Sequence, residues 1–102
     1  MRFIYTKNFV EYMKILKDKI LYANIIKRLE RLSFGNFGDS KYIGDSLYEL
    51  RIHYGSGHRI YYTKHESEVI ILLCAGEKDH QKRDIELAKK LAKEVKNETD
   101  QN

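Results

Sequence analysis

The spacing of apolar residues along the chain changes character several times, and each change marks an element. Phe3, Ile4 and Tyr5 open it as a short apolar strand at an edge or end of a sheet. Thr6 or Asn8 follows as a helix cap, because a side-chain oxygen there accepts from an otherwise orphaned backbone amide. Val10 and Met13, with Leu16 and Lys17, mark the buried and exposed faces of a first helix. Leu21, Ile25, Leu29 and Leu32 then recur every three or four residues, with Lys27, Arg28, Glu30 and Arg31 pointing elsewhere, and predict a second helix. The two make a helical hairpin. Gly35-Asn36-Phe37-Gly38-Asp39 and Gly44-Asp45 read as connecting loop.

From Tyr48 the period drops to two. Tyr48, Leu50, Ile52 and Tyr54 share one side of a strand, and Glu49, Arg51 and His53 share the other. Gly55-Ser56-Gly57 supplies a permissive turn, after which His58 to Lys64 returns antiparallel, with Ile60 and Tyr62 on one face and Arg59, Tyr61 and Thr63 on the other. Val69 to Cys74 is apolar on both faces, as a strand covered on both sides is. After a polar loop, Asp84 to Lys96 repeats Ile85, Ala88, Leu91, Ala92 and Val95 at helical spacing. The pattern predicts one α+β domain over residues 1–96, with the helical hairpin and a C-terminal helix packed on a small, mainly antiparallel sheet, then a polar tail over 97–102.

Composition changes this picture little. The 102 residues suffice for one core, and 42% hydrophobic with 33% charged residues is ordinary for a globular domain. An excess of 19 Lys and Arg over 15 Asp and Glu permits attraction to nucleic acid or to an acidic protein. Cys74, the single cysteine, has no partner for an intrachain disulfide and sits in an apolar run, which suits a small buried hydrophobe in a reducing compartment. No signal peptide and no membrane-spanning run is apparent, so a cytoplasmic protein without membrane association is expected.

The polar face of the hairpin carries the candidate chemistry. Arg51, Arg59 and Lys78 fall at strand or strand-end positions that can converge, and three convergent cations call for an anion. Phosphate suits them, because arginine presents a planar fork to two oxygens and lysine a point charge. Were that phosphate the scissile one of RNA, the same groups would stabilise the charge that develops as the 2′-hydroxyl attacks. His53, His58 and His80 are the candidates for general acid and base, because imidazole titrates near working pH. Glu49 serves either as a base or as a partner for Arg51. No metal is expected, since paired cysteines, an H-E-x-x-H motif and any cluster at ligand spacing are absent. No small-molecule cofactor is expected either.

Four segments in order complete the reading: Glu49 to Ile52, Gly57 to Tyr62, Leu72 to Lys78, and Gln81 to Ile85 with Ala88. Together they resemble the RelE/ParE toxin superfamily, and more closely its HigB-like, phage-type "addiction module killer protein" branch. The likeness runs from Arg28-Leu29 through Leu91. It implies the RelE-like fold and a toxin of a type II toxin–antitoxin system, acting as a metal-independent mRNA endoribonuclease on the translating ribosome. The implied partners are the ribosome, mRNA and a small antitoxin with a helix-turn-helix. By position Arg59 matches the arginine of the family's Gly-aromatic-Arg strand, Lys78 the basic residue after the last strand, and Arg51 a basic residue of the preceding strand. Lys82, Arg83 and Tyr61 are expected to contact substrate. The chain departs from the pattern at His58, where tyrosine is usual, and at Asp84, near a catalytic tyrosine of some members. The alternative is ParE-like inhibition of DNA gyrase without nucleolysis, which the Arg51, Arg59 and Lys78 set disfavours.

Overall fold

Thr6 turns the chain from its first strand into its first helix. In the computed structural model, which describes residues 1–100, its hydroxyl accepts from the Phe9 amide at 3.1 Å and donates to the Leu73 carbonyl, so one side chain caps the helix and ties it to the sheet. Strand β1 is Arg2–Tyr5 and helix α1 Lys7–Ile15. Helix α2, Lys19–Ser33, starts where the Asp18 carboxylate accepts from the Ile20 and Leu21 amides at 3.0 and 3.1 Å. Four strands follow: β2 Ser40–Gly44, β3 Leu47–Ile52, β4 His58–His65 and β5 Val69–Glu77. A 3-10 turn over Lys78–His80 then leads into α3, Gln81–Asp100.

The five strands form one sheet in the order β1-β5-β4-β3-β2, antiparallel except for the β1–β5 pair. One face carries α1 and α2, with Phe9, Leu21, Ile25, Leu29 and Leu32 packed on Leu50, Ile52, Ile60, Tyr62, Ile70 and Leu72. The other carries α3, whose Ala88 and Leu91 lie on Leu47, Tyr61, Ile71 and Leu73. Coverage on both faces is why Val69 to Cys74 lacks alternation. The architecture is the expected α+β domain.

A bulge decides which residues of β5 meet α3. Tyr61 pairs with Cys74 but Tyr62 with Leu72, so Leu73 is an extra residue on β5. Leu73 and Cys74 therefore both pack towards α3, while Ala75 joins the opposite core. The strict alternation of the strand is reversed from that point, and Gly76 comes to lie under α3 with a Cβ position 2.0 Å from Asp84 Oδ2.

Four expectations change. Strand β2 takes up part of the segment read as loop: it is a five-residue edge strand that joins β3 through Asp45 and Ser46, both at positive φ. Neither residue is the glycine that usually flags such a turn. Tyr42, Tyr48 and Tyr62 stand in register across β2, β3 and β4, their successive ring centroids 5.2 Å apart, and this stack holds the strand in place. Phe9, at 2% exposure, anchors α1 in place of Val10, which is 38% exposed. Arg28 turns inward, Nη1 donating to the Arg51 carbonyl at 2.9 Å. Residues 97–100 of the expected tail continue α3, and Gln101 and Asn102 lie outside the described residues.

Candidate functional site

Strand pairing brings the cations together. Arg51 stands directly opposite Arg59 in the β3–β4 ladder, and Arg59 opposite Gly76 in β5. The chain leaves β5 alongside the β3–β4 turn, where the Lys78 amide donates to the Gly57 carbonyl at 3.0 Å. Arg51, Arg59, Lys78, His53 and His58 thereby line one groove of about 470 Å³ at the tip of the hairpin. Alternation sends Arg51 and Arg59 to the α3 side, while His58 shares the opposite side with Ile52 and Ile60. The groove wraps the end of the sheet and takes a wall from each face.

Glu49 is the anion inside this cluster. Its Oε1 accepts from Arg51 Nε at 3.0 Å and from Arg59 Nε at 2.8 Å, and its Oε2 accepts from Gln81 Nε2 at 2.9 Å. The carboxylate is 1% exposed, against 12% for the Arg59 side chain and 35% for that of Arg51. Burial pushes its pKa up, but hydrogen bonds from Arg51, Gln81 and Arg59, with the charge of Arg59, outweigh burial and hold it below the ordinary glutamate value. Arg59 Nη1 is buried without a hydrogen-bond partner among the described residues, as is His58 Nδ1. Buried polar atoms are seldom left unpaired, and a ligand is one way to satisfy them.

Neighbouring acids fix the rim. His53 Nε2 pairs with Asp39, and this hydrogen bond is the largest influence holding the Asp39 carboxyl below its usual range. Tyr54 donates its hydroxyl to Asp18 Oδ2 at 3.0 Å, which raises the phenol's pKa and ties the turn to the start of α2.

The other expected site residues lie elsewhere. His80 is exposed in the 3-10 turn, and Lys82 and Arg83 are exposed on the first turn of α3, with Arg83 Nε 3.7 Å from Asp84 Oδ1; none lines the groove. Tyr61 is fully buried beneath α3, where desolvation raises its pKa, and has no surface to offer a substrate. It shares the arginine face of β4, but α3 covers that stretch of the face. Cys74 is buried, and desolvation pushes its thiol up to about 12, so it is held in the unreactive form. Of the two roles the sequence left open for Glu49, base or partner of Arg51, the structure shows the pairing, and it adds Gln81, whose place beside Glu49 no local pattern signals. Among the described residues, no group of three or more His, Cys, Asp and Glu is placed to hold a metal ion, and no helix is long and apolar enough to cross a membrane.

The family described as "Phage derived protein Gp49-like (DUF891)" matches residues 11–94, from the first helix nearly to the end of the last. The chain belongs to this family. A Gp49-like chain of this length has a relative in Haemophilus influenzae, described as an uncharacterized protein, 43% identical over 90 residues that cover 88% of this chain and 91% of the relative. Among solved structures, a chain of the intact E. coli RelBE toxin–antitoxin complex superposes with a TM-score of 0.61 at 18% identity, covering 74% of this chain and 94% of that one. The Gp49-like protein shares that chain's fold.

Proposed function

We propose that this Gp49-like protein is the toxin of a type II toxin–antitoxin pair, of the HigB-like branch, and that it is a metal-independent, ribosome-dependent mRNA endoribonuclease that inhibits translation. The observation that carries the reading is the convergence of Arg51, Arg59 and Lys78 on one groove. Glu49 neutralises one of the three charges, a bound phosphodiester offsets a second, and the third faces the negative charge that develops as the 2′-oxygen attacks. In the reaction the 2′-oxygen of a ribose attacks the adjacent phosphorus, the 2′-O–P bond forming as the P–O5′ bond breaks. The arginines and Lys78 stabilise the charge on the non-bridging oxygens, where preorganised donors act most strongly. His53 and His58 divide the two proton transfers, one taking the 2′-hydroxyl proton and the other delivering a proton to the departing 5′-oxygen.

The working unit is the single domain of residues 1–96, acting in the cytoplasm. Its other partner is a small antitoxin, a reading supported by exposed Ile15, Ile20 and Tyr22 on the helical hairpin among Lys14, Lys17 and Lys19. An acidic amphipathic segment suits that surface, and co-purification with the product of the neighbouring small gene tests it.

For the nuclease, the protein is added to a translating extract and mRNA ends are mapped. Cleavage within the reading frame that is lost in Lys78→Ala is the expected result. Message that stays intact, with DNA supercoiling by gyrase blocked in a parallel assay, overturns the reading in favour of ParE-like inhibition.

A further inference from the structure

We infer that Glu49 is a positioning residue for the arginine pair: it aims Arg51 and Arg59 at one phosphate, and Gln81 of α3 holds it in place. The inference rests on the nuclease reading for its consequence in cleavage, but the geometry stands by itself. Two guanidinium groups on directly opposed residues of adjacent strands start from backbones only about 5 Å apart. Without a charge between them they would repel and splay. A single carboxylate oxygen receives both, at 3.0 Å from Arg51 and 2.8 Å from Arg59, which brings the two groups to a common point.

The atoms used matter as much as the charge. Glu49 engages each arginine through Nε, the proximal nitrogen, and leaves the distal nitrogens uncommitted by that contact. The Arg59 Nη1 is itself buried, without a hydrogen-bond partner among the described residues, so a phosphate meets the pair through what stays exposed, 35% of the Arg51 side chain and 12% of that of Arg59. An arginine held at Nε is preorganised, so its distal donors meet a phosphate oxygen with little further loss of freedom. Gln81 closes the arrangement by taking the other carboxylate oxygen at 2.9 Å, so the 1%-exposed carboxylate has both oxygens held. Through Gln81 the start of α3 sets the aim of two side chains on β3 and β4.

A merely structural ion pair and a positioning residue predict different kinetics. Glu49→Gln keeps the shape and one acceptor oxygen but removes the charge, so the arginines move apart while the groove gains one net positive charge. Cleavage with protein in excess should slow by about 100-fold, the scale that a displacement near 1 Å in a reacting complex produces. Binding of a non-cleavable 2′-O-methyl RNA oligonucleotide, followed by fluorescence anisotropy, should be unchanged or tighter, because backbone affinity follows net positive charge. Gln81→Ala, which keeps the charge and frees one carboxylate oxygen, should slow cleavage about tenfold, the worth of one hydrogen bond of alignment.

Circular dichroism and urea unfolding of each variant accompany the rates. Full-rate cleavage by Glu49→Gln overturns the inference. So does a fall of cleavage and binding together in both variants, in step with a lower folded fraction. If the unsubstituted chain leaves message intact, the nuclease reading fails and takes the cleavage role of Glu49 with it, whereas cleavage by the unsubstituted chain with no effect of either substitution removes Glu49 alone.

Discussion

Asp84 lays its carboxylate over Gly76 so closely that a Cβ on Gly76 would lie 2.0 Å from Asp84 Oδ2. Asp84 is 5% exposed and has little room to withdraw. The contact joins the first turn of α3 to β5 at the residue paired with Arg59, and it exists because the bulge at Leu73 turns Gly76 towards the helix. Gly76→Ala should therefore cost about 1–3 kcal/mol by overpacking. Denaturation with urea would show this, and combining it with Asp84→Ala should recover much of the loss, since residues in contact do not act additively. Equal losses that simply add would show that the two residues do not press on each other.

The same carboxyl makes stability depend on pH. Burial, the largest influence, raises the Asp84 pKa, and the charges of Arg83 and His80 with the Arg83 hydrogen bond only partly offset it. A carboxyl whose pKa is higher in the folded than in the unfolded chain favours folding while it is protonated in both. That contribution is lost as pH rises through the folded value. Asp84→Asn cannot ionise, so its stability relative to the unsubstituted chain should rise as pH increases above the ordinary aspartate value of about 3.9. Thermal unfolding across that range decides the matter, and a gap that narrows with pH would contradict it.

Arg59 and Lys78 should separate when stability and cleavage are measured together. Lys78 is exposed, and its truncation should abolish cleavage without changing the unfolding midpoint. Arg59→Ala removes a partner from the buried Glu49, so it should cost about 3 kcal/mol as well as activity. An Arg59→Ala variant of undiminished stability would mean that Arg51 and Gln81 satisfy Glu49 unaided.

Tyr61 offers a test in the opposite direction. Its hydroxyl is buried without a hydrogen-bond partner among the described residues. Tyr61→Phe should leave oligonucleotide binding unchanged and raise stability by up to about 1 kcal/mol, since an unpaired buried hydroxyl is removed. Weakened binding by this variant would restore Tyr61 to the substrate contacts.

Much of the fold was legible because its signals are local. Leu21, Ile25, Leu29 and Leu32 all proved buried, as their spacing predicted. Arg51 and Arg59 face each other as expected because a tight hairpin sets its own register, and Lys78 joins them where the end of β5 runs beside the turn. Strand β2 was missed because its five residues, none of them fully buried, show no alternation; its place comes from pairing with β3 and from the tyrosine stack. The groove residues from the hairpin were likewise readable, while His80, Lys82, Arg83 and Tyr61 lie outside the groove, because where α3 starts and docks is not written in any local pattern.

By itself the sequence determined the element types, the two-sided apolar strand and the cationic hairpin, since each follows from side-chain period and turn chemistry within a few residues. Only the tertiary structure decided that Glu49 and Gln81 meet across 32 positions, that one extra residue at Leu73 reverses the faces of β5, and that Tyr61 lies beneath α3. Those outcomes depend on how the strands register and where α3 docks. They are set by packing between distant segments, and no short stretch of sequence carries that information.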